Sequence, residues 1–295
     1  MKAAIIITAF KEPNIEKAVE SIVSQRISMP YNLIVSTPDK ETKERLKKYK
    51  RVKVVHDPGR GKSFAINLLL PTIKGDIIIL TDGDVIIGDG AINSIIEKFK
   101  EKNVGVVTGR PISQNKKDNL FGFWSHFLLD VGAHEISRKK RSQEGKNVEC
   151  SGYLFAFKNK VIKKIPLDVA EDAIIPYYFS KKGYKIVYAD KARVMVRYPI
   201  SWKDWLKQRR RSAAAHENLK KYAPDIAKVK SFRNEVFYAM REMRAILAYP
   251  KTFKEYFWLK LLFLARLYVW LRVKKDVLFK KKVYRDGWER IESTK

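Results

Sequence analysis

The sequence predicts an α/β fold, a mixed and mainly parallel β-sheet with helices on both faces. Three observations carry this. Short β-branched apolar runs, residues 3–9 and 76–81 above all, lack polar alternation and read as strands buried on both faces. Segments of helical periodicity separate those runs. The chain has 295 residues, 45% of them apolar, enough for a large core.

The elements follow in order. After the strand at 3–9, Ile15, Val19, Ile22 and Val23 mark one face of a helix. Residues 32–36 form a second short strand, and the charged stretch 39–50 suits a helix. A third strand, 52–56, is broken by Asp57, Pro58 and Gly59. Residues 63–70 are helical and stop at Pro71. The strand at 76–81 comes next, then a helix marked by Ile92, Ile95, Ile96 and Phe99, then a strand at 104–108. Residues 113–149 are long and mixed, with Phe121, Phe123, Trp124 and Phe127 ahead of the basic run 138–141. Strands are expected at 153–157 and 185–189. Ser201 and Asp204 have the spacing of a capping box, with Asp in place of Glu, opening a helix that carries Gln208 to Arg211. A linker-like break near 222–225 divides a domain, 1–222, from a helical, basic extension, 223–295.

The formal net charge is +29. Residues 1–100 carry 17 Lys+Arg against 12 Asp+Glu, residues 101–200 carry 19 against 10, and residues 201–295 carry 25 against 10. The excess therefore grows from +5 to +9 to +15 along the chain. Nucleic acid, an anionic membrane surface and a phosphate-rich substrate are all attracted by such a field, and a solvated lysine-rich surface produces the same count. Cys150 is the only cysteine, which excludes an intrachain disulfide and a Cys-rich zinc site and fits a reducing compartment. The apolar run at the N-terminus is too short for a signal peptide.

Parallel sheets bind ligands at the carboxyl ends of their strands. Asp82 and Asp84 stand there, after the strand at 76–81, with Gly83 between them for a tight turn. Two carboxylates on one turn suit a hard divalent cation with positions open for phosphate oxygens; an ordinary Asp-Gly turn looks the same in sequence. The loop Gly59 to Ser63 is glycine-rich and basic and precedes a helix, as phosphate loops do, but His56 stands where a Walker loop needs glycine. Lys62 is kept as a phosphate contact. Glu171 and Asp172 fit either a general base or an acidic pair at a helix N-terminus. Residues 208–211 fit an anion clamp or a solvated basic face. The four histidines show no metal spacing.

In order, these pieces resemble the inverting glycosyltransferase family 2, which has the GT-A fold. The matching residues are Thr8 to Glu12, Gly61, Lys62 and Asn67, Asp82 to Asp84, Ser151 to Tyr153, Glu171 and Asp172, and Gln208 to Arg211, spread over residues 3–215. The resemblance implies a nucleotide-sugar donor bordered by Thr8, Ala9, Phe10, Glu12, Lys62, Asp82 and Gly83. It implies Mg²⁺ or Mn²⁺ on Asp84, with Asp82 beside the ribose and diphosphate. Asp172 becomes the catalytic base with Glu171 in support. Ser151, Gly152 and Tyr153 lie by the acceptor. Gln208 and Arg211 resemble the Q-x-x-R-W element of polysaccharide-synthase-like members. Many members end the second strand in Asp-Asp or Asp-x-Ser for base recognition; here the chain reads Ser36, Thr37, Pro38, Asp39, which places Asp39 on the nucleotide side. Ser212 stands in place of the motif's Trp, which argues against processive synthesis.

Residues 256–271 are apolar and aromatic but interrupted by Lys260 and Arg266, so no simple spanning helix is expected. Trp258, Tyr268 and Trp270 suit a membrane–water boundary, and Lys274, Lys275 and Lys280 to Lys282 follow as a polybasic segment. The expected partners are thus a nucleotide-sugar donor, a glycan or lipid-linked acceptor, and the anionic cytoplasmic face of a membrane. A nucleotidyltransferase and a basic nucleic-acid-binding protein are the rivals; the second leaves the ordered acidic motifs unexplained, so no nucleic-acid partner is expected.

Overall fold

A computed structural model describes residues 1–224, 232–278 and 291–294. Its sheet has eight strands: β1 (Ala3–Thr8), β2 (Tyr31–Thr37), β3 (Val52–His56), β4 (Ile77–Asp82), β5 (Ile86–Ile87), β6 (Val104–Ser113), β7 (Leu154–Lys158) and β8 (Lys185–Val196). Their spatial order is β3-β2-β1-β4-β7-β6-β8-β5. The half from β3 to β4 is parallel, and β6 runs parallel to β8. β7 lies antiparallel between β4 and β6, and β5 is antiparallel to β8. The sheet is therefore mixed, and the long neighbours β6 and β8 extend well beyond the expected ends at 108 and 189.

The uniform apolarity of the strands has a direct cause. Along β1, Ala3, Ile5 and Ile7 enter one core while Ala4 and Ile6 enter the other, so neither face reaches water. On the first face, α1 (Ile15–Val23) and α4 (Ala91–Lys98) bury Ile15, Val19, Ile22, Ile92 and Ile95. On the second, α3 (Lys62–Leu69) and α7 (Glu171–Lys181) bury Ile66, Ile174 and Phe179 against Phe155 and Phe157. The short helix α2 (Lys40–Leu46) follows β2.

The mixed stretch 113–149 becomes α5 (Leu120–His126), a π-helix over Phe127–Lys139, and α6 (Lys140–Gln143). Asn119 caps α5, its side chain accepting from the Gly122 N–H at 2.9 Å. The helix opened by Ser201 is α8 (Trp202–Leu219). Only half of the expected capping box forms. Ser201 Oγ accepts from the Asp204 N–H at 3.3 Å, while the Asp204 carboxylate accepts from the Ser293 N–H at 2.9 Å.

Beyond the break lie α9 (Phe232–Arg241), α10 (Met243–Ala248) and α11 (Phe253–Leu278). Asp225 and Lys280 to Lys282 fall outside the described residues. A third core binds these helices to the rest: Leu259, Leu262, Val269 and Val273 of α11 pack with Phe123 and Trp124 of α5 and Trp205 of α8. The Trp124 indole N–H donates to the Trp258 carbonyl at 2.7 Å. Among the described residues, no helix is long and apolar enough to cross a membrane.

Candidate active site

Parallel register brings three strand ends to one edge: Thr8 of β1 lies between Ser36 of β2 and Asp82 of β4. β7 runs the other way, so it begins where β4 ends, with Thr81 opposite Leu154. That reversal delivers Ser151, Gly152 and Tyr153 to the Asp82 turn. The Thr81 hydroxyl donates to the Tyr153 carbonyl at 2.8 Å, and the Ser151 N–H donates to Thr108 Oγ1 at 3.0 Å.

Lys62, at the start of α3, joins the two acidic motifs. Its Nζ lies 2.6 Å from Asp82 Oδ1, 2.7 Å from Glu171 Oε1 and 3.0 Å from the Gly152 carbonyl. Three acceptors match the three protons of an ammonium group. Burial works against its charge, but Asp82 and Glu171 outweigh burial and hold the Lys62 pKa well above the ordinary lysine range. Burial, against the pull of Lys62 and with the help of Asp84, pushes the Asp82 carboxyl up. In this structure Lys62 thus ties the Asp82 turn to the N-terminus of α7.

The Gly152 peptide is held from both ends. Its carbonyl accepts from Lys62, and its N–H donates to Asp172 Oδ2 at 2.9 Å. A Cβ there would lie 3.2 Å from Glu171 Oε1 and 3.3 Å from Asp172 Oδ2, so the absent side chain lets both carboxylates close on the loop. Gly83 needs its missing side chain for a related reason. A Cβ on it would lie 2.9 Å from that of Ala9 and 3.1 Å from Ile15 Cδ1, while its N–H donates to the Thr8 carbonyl at 3.0 Å. Close packing, and not a left-handed φ, is what the Asp82–Asp84 turn asks of this glycine.

These groups line one cavity of about 710 Å³, within the range of small-molecule sites. Thr8, Ala9, Phe10, Glu12, Lys62, Asp82, Gly83 and Asp84 form one side of it, and Ser151, Gly152, Tyr153, Glu171 and Asp172 the next. Gln208 and Arg211 of α8 also face it. Asp39 does not. Its carboxylate accepts from the Lys11 N–H at 3.0 and 3.1 Å and from the Thr42 hydroxyl at 3.2 Å, bracing the loop after β1 from behind.

Arg209, within the basic run 208–211, lines the cavity as well. Arg209 lies over the Tyr198 ring at 5.2 Å and donates to Gln208 Oε1 at 2.7 Å, while its buried Nε has no hydrogen-bond partner. Burial raises the Tyr153 phenol, whose ring lies 6.5 Å from that of Tyr198. The basic run 208–211 was the one available signal. Arg138 and seven other residues of the π-helix, and Phe263, Arg266 and Trp270 of α11, also line the cavity. Nothing in their sequence spacing announced that.

Asp82 and Asp84 offer only carboxylate oxygens, and among the described residues no group of three or more His, Cys, Asp or Glu is placed to hold a metal. A cation here would take two carboxylates and find its remaining ligands on phosphate or water, which suits a hard ion that keeps open positions.

Comparison with known proteins places a sheet of this order, with carboxylates at the ends of its parallel strands over one cavity, in the GT-A fold. The fold matches the mannosyltransferase PcManGT from Pyrobaculum calidifontis, solved in complex with GDP-Man and Mn²⁺, with a TM-score of 0.62 and 14% identity over 95% of this chain and 88% of that one. The chain belongs to glycosyltransferase family 2: the model described as "Glycosyltransferase like family 2" matches residues 2–215. Hyaluronan synthase of Streptococcus pyogenes is 24% identical over 164 residues, 52% of this chain and 39% of that protein. Beta-monoglucosyldiacylglycerol synthase of Trichormus variabilis is 32% identical over 93 residues, 30% of this chain and 20% of that protein. The matches thus span well under half the length of these relatives.

Proposed function

We propose that the protein transfers a sugar from a nucleotide donor to a hydroxyl or phosphate acceptor with inversion at the anomeric carbon, assisted by a divalent cation. The observation that carries this reading is the Lys62 bridge. It holds the donor-side carboxylate, Asp82, and the α7 terminus bearing Asp172 at opposite ends of one ammonium group. Thr8, Phe10 and Glu12 border the nucleotide. Asp84, with Asp82, would hold Mg²⁺ or Mn²⁺, which when bound offsets negative charge on the departing diphosphate.

Asp172 acts as general base through Oδ1, the oxygen not engaged by Gly152. The acceptor hydroxyl passes its proton to that oxygen and bonds to the anomeric carbon. The bond from that carbon to the diphosphate oxygen breaks on the far side, and the electron pair leaves with the nucleoside diphosphate. Arg209 and Arg211 face the same space and favour the anionic leaving group.

The C-terminal helices, in residues 223–295, wall the cavity and also carry a membrane-facing surface in this reading. Phe253 is 95% exposed, and Phe257, Leu264, Leu267 and Leu271 lie exposed on the same helix among Lys254, Lys260, Arg272 and Lys275. Apolar groups ringed by cations favour peripheral attachment to an anionic leaflet, here the cytoplasmic one.

Incubating the protein with a panel of nucleotide sugars and Mn²⁺ tests the reading. Release of a nucleoside diphosphate is expected; release of pyrophosphate makes it a nucleotidyltransferase instead.

A further inference from the structure

The chain reaches the proposed base by a detour. β7 starts at the Asp82 turn and runs away from it, so its last residue, Lys158, stands opposite Ile77 at the other end of β4. Asp172 is nevertheless back beside the turn, its Oδ2 accepting from the Gly152 N–H at 2.9 Å. Residues 159–170, which contain no helix or strand, carry the chain the whole way back. Ala170 ends this segment, and its carbonyl accepts from the Ala173 and Ile174 N–H groups, each at 3.1 Å, in the first turn of α7. Where the segment lies therefore decides where α7 begins.

An irregular segment needs ties to keep to one course against its conformational entropy. Ile162, Ile165 and Val169 anchor it in the second core, but apolar burial is non-directional. Hydrogen bonds add the direction. Asn67 of α3 clasps Ile165, donating to its carbonyl and accepting from its N–H, both at 2.8 Å. Three residues further on, Asp168 makes a second hold on a different helix. Its carboxylate accepts from the Tyr222 hydroxyl and, at 2.9 Å, from Lys221 Nζ, while its main-chain carbonyl accepts from Asn218 Nδ2 at 2.6 Å. These donors stand at the C-terminal end of α8 and just after it, where Leu219 and Ala223 are buried in the second core. Toward its other end, α8 is fixed by Trp205, 1% exposed in the third core.

We infer that Asp168 is a positioning residue for the transfer: its tie to the end of α8 fixes the last residues of the segment and so sets the Asp172 carboxylate against Gly152. Asp168 stands outside the cavity lining and acts through α7. Gln208 to Arg211 lie roughly 10–15 Å along α8 from Asn218, at 1.5 Å per residue, so the donor side does not depend on the tie. The inference rests on the reading of Asp172 as the base.

Asp168→Ala in the full chain tests it through two readouts. Amide hydrogen exchange, followed by mass spectrometry, is expected to speed up at least ~10-fold in peptides covering Gly152 and Ala173 to Ile174, with β1 and β4 exchanging as in the wild type. Release of UDP or GDP from nucleotide sugars with Mn²⁺ is expected to fall at least ~10-fold in kcat, because small misplacements of a reacting group are costly. Calorimetric affinities for UDP and GDP with Mn²⁺ stay as in the wild type. Tyr222→Phe, which loses one hydroxyl and keeps the ring, is expected to move both readouts the same way by at least ~3-fold, and it keeps the test open should Asp168→Ala not fold. Unchanged exchange at Gly152 overturns the tie. Faster exchange with unchanged kcat makes Asp168 a structural residue only and overturns its part in the transfer. An equal loss of nucleoside diphosphate affinity places the tie on the donor side and overturns the inference as well. A wild type that releases no nucleoside diphosphate strikes the transferase reading instead, and the exchange measurement still decides whether Asp168 places the segment.

Discussion

Replacing Lys62 with methionine keeps the apolar stem and removes the charge. Two carboxylates then share a buried site with no cation between them. The side chains of Lys62, Asp82 and Glu171 are 13%, 25% and 9% exposed, so solvent screens them poorly. Breaking a buried pair from one side costs about 3–5 kcal/mol. That is a large part of a total stability on the order of 5–15 kcal/mol. At roughly 2–4 °C per kcal/mol for domains somewhat smaller than this chain, the melting temperature falls on the order of 10 °C. Adding Glu171→Gln removes one of the stranded charges, so the double variant Lys62→Met, Glu171→Gln recovers part of the loss. Urea unfolding followed by circular dichroism, with a chelator present, reads all three proteins. The reasoning is refuted if Lys62→Met unfolds within about 1 kcal/mol of the wild type. It is refuted equally if the two substitutions simply add, since groups in direct contact are expected to couple.

Asp172→Asn is expected to lower kcat by about 10²–10⁴-fold while donor affinity stays, because the amide accepts no proton; full activity in Asp172→Asn with loss in Glu171→Gln moves the base to Glu171. His126 is raised above its ordinary pKa by the Asp130 carboxylate, 3.8 Å from its Nδ1, and by the hydrogen bond to the Asn115 carbonyl. Its stabilising contribution is complete below the unfolded value of about 6.5 and disappears as pH rises through the raised folded value. His134, lowered by burial and by Arg110, contributes the opposite way, being lost as pH falls. The stability advantage of the wild type over His126→Gln should therefore shrink as pH rises from 6 toward 8, and a constant difference contradicts it. Phe253→Ser with Phe257→Ser is expected to reduce co-sedimentation with anionic vesicles at moderate salt, where lysine contacts alone are screened; equal sedimentation shows that charge alone attaches the chain.

Much of this architecture is legible before any coordinates exist, for identifiable reasons. β1 and β4 are buried on both faces, so their apolar runs have no other reading, and the motifs at their ends follow from that. Direction is different. The run that becomes β7 is as apolar as a parallel strand, and nothing in Leu154 to Lys158 states that it enters from the far side. That reversal carries Gly152 to Lys62. The acidic pair at 171 and 172 does stand at a helix N-terminus, and its functional geometry lies in partners from β7 and α3, far away in sequence. The π-helix takes more residues per turn than the α-helix, so residues 127–139 match no α-helical stripe and read as irregular. Lys260 and Arg266 confused the tail because one faces solvent and the other faces the cavity. A single helix with a buried stripe at Leu259, Leu262, Val269 and Val273 accommodates both.

The central claim is that the Asp82–Asp84 turn binds a donor diphosphate through a divalent cation. Calorimetric titration of the full chain with UDP and with GDP, each with Mn²⁺ and again with a chelator, tests it most directly. The account predicts that at least one of them binds with Mn²⁺, loses most of its affinity on chelation, and binds Asp84→Ala at least ~10-fold more weakly in Mn²⁺. Affinity indifferent to Mn²⁺, or unchanged in a folded Asp84→Ala variant, contradicts it.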